Sequence, residues 1–245
     1  MQAVRGRLSA APSLAARLSG LDWPALERML DERGYARAAL LGGRECAELI
    51  ALYPDEQRFR SHVDMARYRF GVGEYRYFAR PLPEMVAALR AHAYPPLAAI
   101  ANRWQASLGE RSRFPPDLER FLRVCAERGQ TRPTPLLLRY EAGGFNCLHQ
   151  DLYGEVAFPL QITIALSRRG VDFEGGESLL VEQRPRAQSR GEVIALEQGE
   201  ALVFPTRYRP VRGTHGHHRV TMRHGVSRIL SGCRYSLGII FHDAA

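Results

Sequence analysis

The sequence predicts an α+β protein in which a jelly-roll β core carries N-terminal helices packed on it. Two observations predict this. From Thr134 onward the apolar period changes from 3.6 to 2, the mark of a switch from helices to half-buried strands. In that same half, short apolar or alternating runs are separated by glycine-containing turns, the pattern of a β-sandwich or jelly roll. At 245 residues the chain can bury a substantial core and reads as one domain, with 1–133 a mainly helical support and 134–243 the β core.

The elements follow in order. Met1 to Leu21 is rich in alanine, arginine and leucine, but Arg5, Arg7 and Arg17 interrupt any apolar run. It does not read as a signal peptide, has only a faint likeness to a transit peptide, and is expected to be frayed. Asp22 before Trp23-Pro24 starts a helix; Ala25, Leu26, Met29 and Leu30 share one face, and Gly34 ends it. A strand over Tyr35 to Leu41 and a helix from Gly43 to Tyr53 come next, stopped by Pro54. Arg67 to Phe78 interleaves arginine and aromatic residues around Gly71 and Gly73, which predicts a bent strand pair. An alternating strand with one buried aromatic face gives such a string, and so does a surface that stacks on a substrate. Leu82 to Leu108 is expected to be helical with an interruption at Pro95-Pro96. Asp117 to Arg128 forms a further helix, with Leu118, Phe121, Leu122 and Cys125 on one face and Gly129 as its stop.

Eight strands are then expected: Pro135 to Tyr140, Leu148 to Asp151, Leu160 to Leu166, Ser178 to Gln183, Glu192 to Leu196, Ala201 to Pro205, His224 to Ile229 and Arg234 to His242. Turns fall at Gly143-Gly144, Gly170, Gly175-Gly176, Gly191, Gly199 and Gly232. Arg184 to Arg190 reads as a solvated hairpin tip.

Composition excludes some roles. Hydrophobic content of 45% with 24% charged residues is that of an ordinary globular protein, and no apolar run approaches the roughly 20 residues of a membrane helix. Cys46, Cys125, Cys147 and Cys233 have no metal-ribbon or disulfide spacing and read as reduced thiols, so a cytoplasmic location is expected. Cys147 and Cys233 fall near the candidate site below and read as small apolar fillers. The net charge is +8 and every basic residue is arginine, since the chain has no lysine. That balance permits an anionic partner such as nucleic acid, although genome bias and internal ion pairs produce the same composition.

The most specific chemistry sits in two strings. His149-Gln150-Asp151 puts an imidazole and a carboxylate on one side of a strand, because side chains alternate. His224 is followed by Gly232-Cys233-Arg234, so a second histidine starts one strand and an arginine starts the next. Two histidines and one carboxylate with open positions are the ligand set of non-heme Fe(II) oxygenases. The arginine adds a fixed positive charge where an acidic cosubstrate could anchor. His218 competes with His224, since Arg228 also lies ten residues later, but Arg228 lacks the glycine before it and the apolar strand after it. His215, His217 and His218 are expected on an exposed loop.

On these residues, together with Phe173-Glu174-Gly175-Gly176-Glu177, Gln198 to Pro205 and Arg234-x-Ser236, residues 134–243 resemble the Fe(II)/2-oxoglutarate-dependent dioxygenases of the prolyl-hydroxylase-like branch. Arg69 to Phe78 and the ending Leu237 to Asp243 are also similar to a bacterial family labelled as oxygenases acting on damaged DNA. The resemblance implies a double-stranded β-helix core, with Fe(II) held by His149, Asp151 and His224. It implies 2-oxoglutarate gripped at its distal carboxylate by Arg234 with help from Ser236, and a hydroxyl from Tyr140 nearby. It further implies O2 as the other cosubstrate, ascorbate as a supporting reductant, and succinate and CO2 as products. Alkylated nucleic acid, a prolyl or other peptidyl side chain, and a small molecule all stand as substrates. Demethylases that reverse alkylation damage carry further arginine and asparagine positions after the cosubstrate arginine. Here the residue six past Arg234 is Ile240, so that pattern is absent.

Overall fold

Helix α2 (Trp23–Arg33) begins where the sequence places it: the Asp22 side chain accepts a hydrogen bond from the Ala25 amide, and Gly34 closes the far end at φ 81°. The computed structural model describes residues 12–111 and 113–245. Helix α1 (Leu14–Ser19), capped by Ser13, lies in the part expected to fray; residues 1–11 of that expectation fall outside the described residues. Helices α3 (Gly43–Ala51), α4 (Glu84–Ser107) and α5 (Leu118–Glu127) complete the set. Helix α4 runs unbroken through Pro95 and Pro96, against the expected interruption. Each proline lacks an N–H, removes one backbone hydrogen bond and costs about 3 kcal/mol. Val86, Leu89, Leu97 and Ile100 on the same helix are buried, at roughly 1.5–3 kcal/mol apiece, and that burial holds the helix together.

Fourteen strands form two sheets among the described residues. The strands are β1 (Ala36–Ala39), β2 (Phe59–Asp64), β3 (Gly71–Val72), β4 (Glu74–Phe78), β5 (Leu136–Glu141), β6 (Phe145–His149) and β7 (Leu160–Ala165). They continue as β8 (Phe173–Gly175), β9 (Ser178–Gln183), β10 (Arg190–Ile194), β11 (Glu200–Pro205), β12 (Tyr208–Gly213), β13 (Gly216–Val226) and β14 (Ile229–Ile239). The larger sheet has the order β1-β11-β7-β14-β5-β4-β2, with β8 on β14; the smaller has β10-β9-β13-β6-β3, with β12 on β13. This is the antiparallel two-sheet core the sequence predicts, and the first 133 residues add β1 to β4 to it. Strands β2, β8 and β12 were not foreseen. Arg184 lies at the β9–β10 hairpin tip as expected.

Three local expectations are corrected. Residues 71–78 do not form a pair: β3 joins β6 in one sheet and β4 joins β2 and β5 in the other. Gly73 makes the crossing at φ 145°, where a Cβ would lie 2.6 Å from the Tyr140 ring. Gly232 is not a turn but lies inside β14, at φ 77° and beside a register shift against β8. A Cβ there would meet the Asp172 carbonyl at 2.1 Å, so the glycine serves a close backbone approach. In consequence His224 sits near the end of the long β13 rather than at a strand start. Phe173 to Gly175 pairs with β14.

Alternation on the larger sheet separates two environments. Leu137, Ile162, Ile164, Val203, Leu237 and Ile239 point outward into a core shared with Leu26, Leu30, Leu89 and Leu97 of the helices. Their neighbours Leu138, Tyr140, Gln161, Thr163, Phe204, Arg234 and Ser236 point the other way and line a cavity of about 450 Å³ facing the smaller sheet. No helix among the described residues is long and apolar enough to cross a membrane.

Candidate metal centre and anion pocket

Two cross-strand pairs, one from each sheet, build the site. His224 on β13 lies opposite His149 on β6, and Arg234 on β14 lies opposite Tyr140 on β5. Opposed residues in an antiparallel pair hold their Cβ atoms about 5 Å apart, so the register alone brings each pair together. The two imidazole centroids are 4.1 Å apart.

Asp151 arrives differently from the expectation. Strand β6 ends at His149, so pleating does not aim the carboxylate. The Tyr153 hydroxyl holds it instead, donating to Asp151 Oδ1 at 2.7 Å. His224 Nε2 is 3.0 Å from Asp151 Oδ2 and His149 Nε2 is 3.5 Å from Oδ1, and the three ligand atoms lie within 4.8 Å of one another. Adjacent ligands on an octahedral ion with bonds of ~2.1 Å sit about 3 Å apart, so the spacing suits one ion. His149 Nδ1 is 2.8 Å from the Cys147 carbonyl, an arrangement that places the proton on Nδ1 and leaves Nε2 free to ligate.

The electrostatics agree. Burial would raise the Asp151 carboxyl, but the neighbouring His224 and His149 hold it well below the usual carboxylate range. Burial pushes the His224 imidazole down, with Asp151 opposing, which favours the neutral, metal-binding form. For His149 burial is outweighed by the hydrogen bond and charge of Asp151, and the net direction is up. Burial beside Asp151 lifts the Tyr153 phenol well above its ordinary value, so it stays a donor.

Across the cavity, Arg234 is 3% exposed. Its Nη1 donates to Ser236 Oγ at 3.1 Å, and no carboxylate among the described residues pairs with it. Burial drives its pKa down, with Tyr140 and Glu177 opposing. An unpaired buried cation is expensive, so its open donors mark a place for an anion. Gln161 Nε2 is buried without a partner in the same cavity. Tyr140 is fully buried, and its hydroxyl accepts from Asn146 Nδ2 at 3.3 Å.

The structure thus brings together His149, Asp151 and His224 on one wall, and Arg234, Ser236 and Tyr140 on another. His218 is not among them: it pairs with Val211 on the β12–β13 hairpin. His217 and His218 lie in β13 rather than in a loop, and His215 is at the exposed tip. Cys147 is exposed, not a buried filler. Sequence reasoning missed Tyr153, Gln161 and Asn146, whereas Tyr75 and Tyr77, which also line the cavity, lie in the aromatic string it offered as a surface that stacks on a substrate. Gln161 was detectable as the one polar amide in an apolar strand. Asn146 gives no signal, because its place depends on register.

Comparison with known proteins gives one reading. A family model described as an oxygenase catalysing oxidative methylation of damaged DNA matches residues 73–244. An uncharacterised protein of Mycobacterium tuberculosis, present in two strains, is 51% identical over 168 residues, 69% of this chain and 72% of its own. Among solved structures, a Pseudomonas putida prolyl-4-hydroxylase is similar with TM-score 0.54 and 15% identity, over 91% of this chain and 99% of that one. A 2OG-Fe(II) oxygenase family oxidoreductase of Burkholderia pseudomallei is similar with TM-score 0.54 and 16% identity, over 92% and 94%. The chain therefore belongs to the oxygenase family that this model describes, and its fold is similar to that of 2-oxoglutarate- and Fe(II)-dependent oxygenases.

Proposed function

We propose that His149, Asp151 and His224 hold Fe(II), that Arg234 and Ser236 grip the distal carboxylate of 2-oxoglutarate with Tyr140 beside it, and that the reaction is oxidative dealkylation of a damaged nucleic-acid base. The observation that carries the cosubstrate is Arg234, a buried guanidinium with no carboxylate partner, facing the histidine-carboxylate cluster across one cavity. A guanidinium fork suits a carboxylate bidentately. The bound ion and cosubstrate supply the oxidation, in which O2 and 2-oxoglutarate give succinate, CO2 and one oxygen atom for a substrate C–H bond. The protein's residues position the cosubstrate and exclude water.

The family description supports a damaged-DNA substrate. Inserting oxygen into a C–H bond of an alkyl carbon attached to nitrogen yields a hemiaminal that collapses to the free N–H and an aldehyde, so this chemistry removes alkyl groups. A prolyl or small-molecule substrate is the second reading, favoured by Ile240, an apolar residue that lines the cavity. One core cluster running from Leu18 to Phe241 supports the whole chain working as a single catalytic domain. A cytoplasmic setting suits the exposed free thiol of Cys147.

The test is succinate release with Fe(II), 2-oxoglutarate and ascorbate against oligonucleotides with alkylated bases, proline peptides and free metabolites. Alkylated oligonucleotides are expected to raise the rate and release aldehyde. Stimulation by proline peptides alone would remove the dealkylation reading and leave the oxygenase assignment standing.

Tyr153 acts through Asp151. By occupying Oδ1 it leaves one carboxylate oxygen for the ion, which preserves positions for cosubstrate and O2. Tyr153→Phe is expected to weaken Fe(II) binding about 10–100-fold, the usual effect of losing an outer-shell hydrogen bond. An anaerobic Fe(II) titration reads this directly, and an unchanged affinity would reduce Tyr153 to a packing residue against Tyr77.

A further inference from the structure

We infer that the Tyr68-Arg69-Phe70 turn is a stacking platform that holds a single-stranded nucleic acid at the mouth of the cavity, a reading that rests on the dealkylation assignment above. Four of the nine large apolar side chains exposed among the described residues gather here: Tyr68, Phe70, Leu148 and Leu152. Phe70, Leu148 and Leu152 line the cavity directly. A cluster of exposed apolar groups around a pocket mouth is a contact surface rather than chance.

The rings are arranged for planar partners. Tyr68 is 59% and Phe70 47% exposed, and their centroids lie 5.5 Å apart with planes at 20°. Arg69 between them adopts φ 59°, ψ 28°, a left-handed conformation uncommon for a residue with a side chain. That reversal lets the flanking rings stack. A stacked aromatic pair with open faces accepts a base of any sequence.

Charge selects the backbone. Arg69 has no carboxylate partner among the described residues and lines the cavity mouth. Arg67 is 80% exposed, its nearest carboxylate being Asp64 at 3.7 Å. Two arginines beside two open rings match a phosphate backbone with its bases. An extended peptide finds less: the adjoining edge strand β3 is two residues long, and the Phe70 carbonyl already accepts from the Cys147 amide at 2.8 Å. Exposure falls from Phe70 at the rim to Asp151 at 8% and Arg234 at 3% inside, so a base held in a duplex cannot reach the centre. The strand must be single, or the base extruded.

The experiment is fluorescence anisotropy of the full chain, loaded with Fe(II) and 2-oxoglutarate without oxygen, against a labelled single-stranded oligonucleotide carrying one N-methylated base. Tyr68→Ala and Phe70→Ala are each expected to weaken binding on the order of tenfold. Phe70→Trp should keep it, and Arg69→Gln should reduce the salt slope by about one. Thermal unfolding of each variant separates lost contact from lost fold. If both alanine variants bind the oligonucleotide like the wild type, or if duplex binds as tightly as single strand, the platform is overturned while aldehyde release keeps the dealkylation reading. If no oligonucleotide binds and the alanine variants instead lose affinity for a proline peptide, the partner is a peptide and both readings fall.

Discussion

Asp151→Ala is expected to end succinate release, with and without substrate, and to weaken Fe(II) binding by more than about 100-fold. Loss of an outer-shell partner already costs 10–100-fold, and the loss of a ligand must exceed it. Asp151 is also the only anion of the cluster, so its removal leaves two imidazoles for an ion that prefers a mixed nitrogen and oxygen set. Asp151→Asn sharpens the test, because it keeps the shape and the Tyr153 contact while removing the charge. His224→Ala should behave like Asp151→Ala, whereas His218→Ala, on the outer hairpin, should retain turnover. The opposite outcome would move the third ligand to His218. Metal titration and succinate assay together read all four variants.

Arg234→Ala is expected to raise the 2-oxoglutarate KM about 30-fold or more with a much smaller change in kcat. Truncating one partner of a buried charge pair costs roughly 2–5 kcal/mol. The contact is made equally in the ground state and the transition state, so the loss appears as binding. Arg234→Lys should not restore it, because a point charge cannot replace the guanidinium fork. Stability gives a second and independent readout. Without cosubstrate the wild type buries an unpaired cation, so Arg234→Met should melt at a higher temperature than the wild type. Addition of 2-oxoglutarate should then stabilise the wild type and leave Arg234→Met unmoved. A variant that melts lower without cosubstrate would mean that the guanidinium holds the fold.

The grouping of the candidate residues was legible because their types are rare in that order: His149-x-Asp151, His224 and Arg234 can be picked out without knowing the pairing. The two-sheet core was legible because alternation continues along β5, β7, β9 and β11. What escaped depends on distant neighbours. Gly232 reads as a turn until the Asp172 carbonyl is placed against it. Pro95-Pro96 reads as a break until the apolar neighbours that bury helix α4 are known. Asp151 was expected on a strand, and the Tyr153 hydroxyl together with His224 and His149 explains how a loop residue is aimed.

Under the proposed ligand assignment, the opposition of His224 to His149 across β13 and β6 has a consequence for when the protein can take up its ion. A slip of one residue between those strands would send one imidazole to the far face, since side chains change sides at every step. The ion can therefore be captured only after strands far apart in the chain have found their register. Such non-local closure is among the slow events of β-sheet folding. Iron uptake during refolding should accordingly lag behind helix formation, which makes the metal a late inspector of strand alignment.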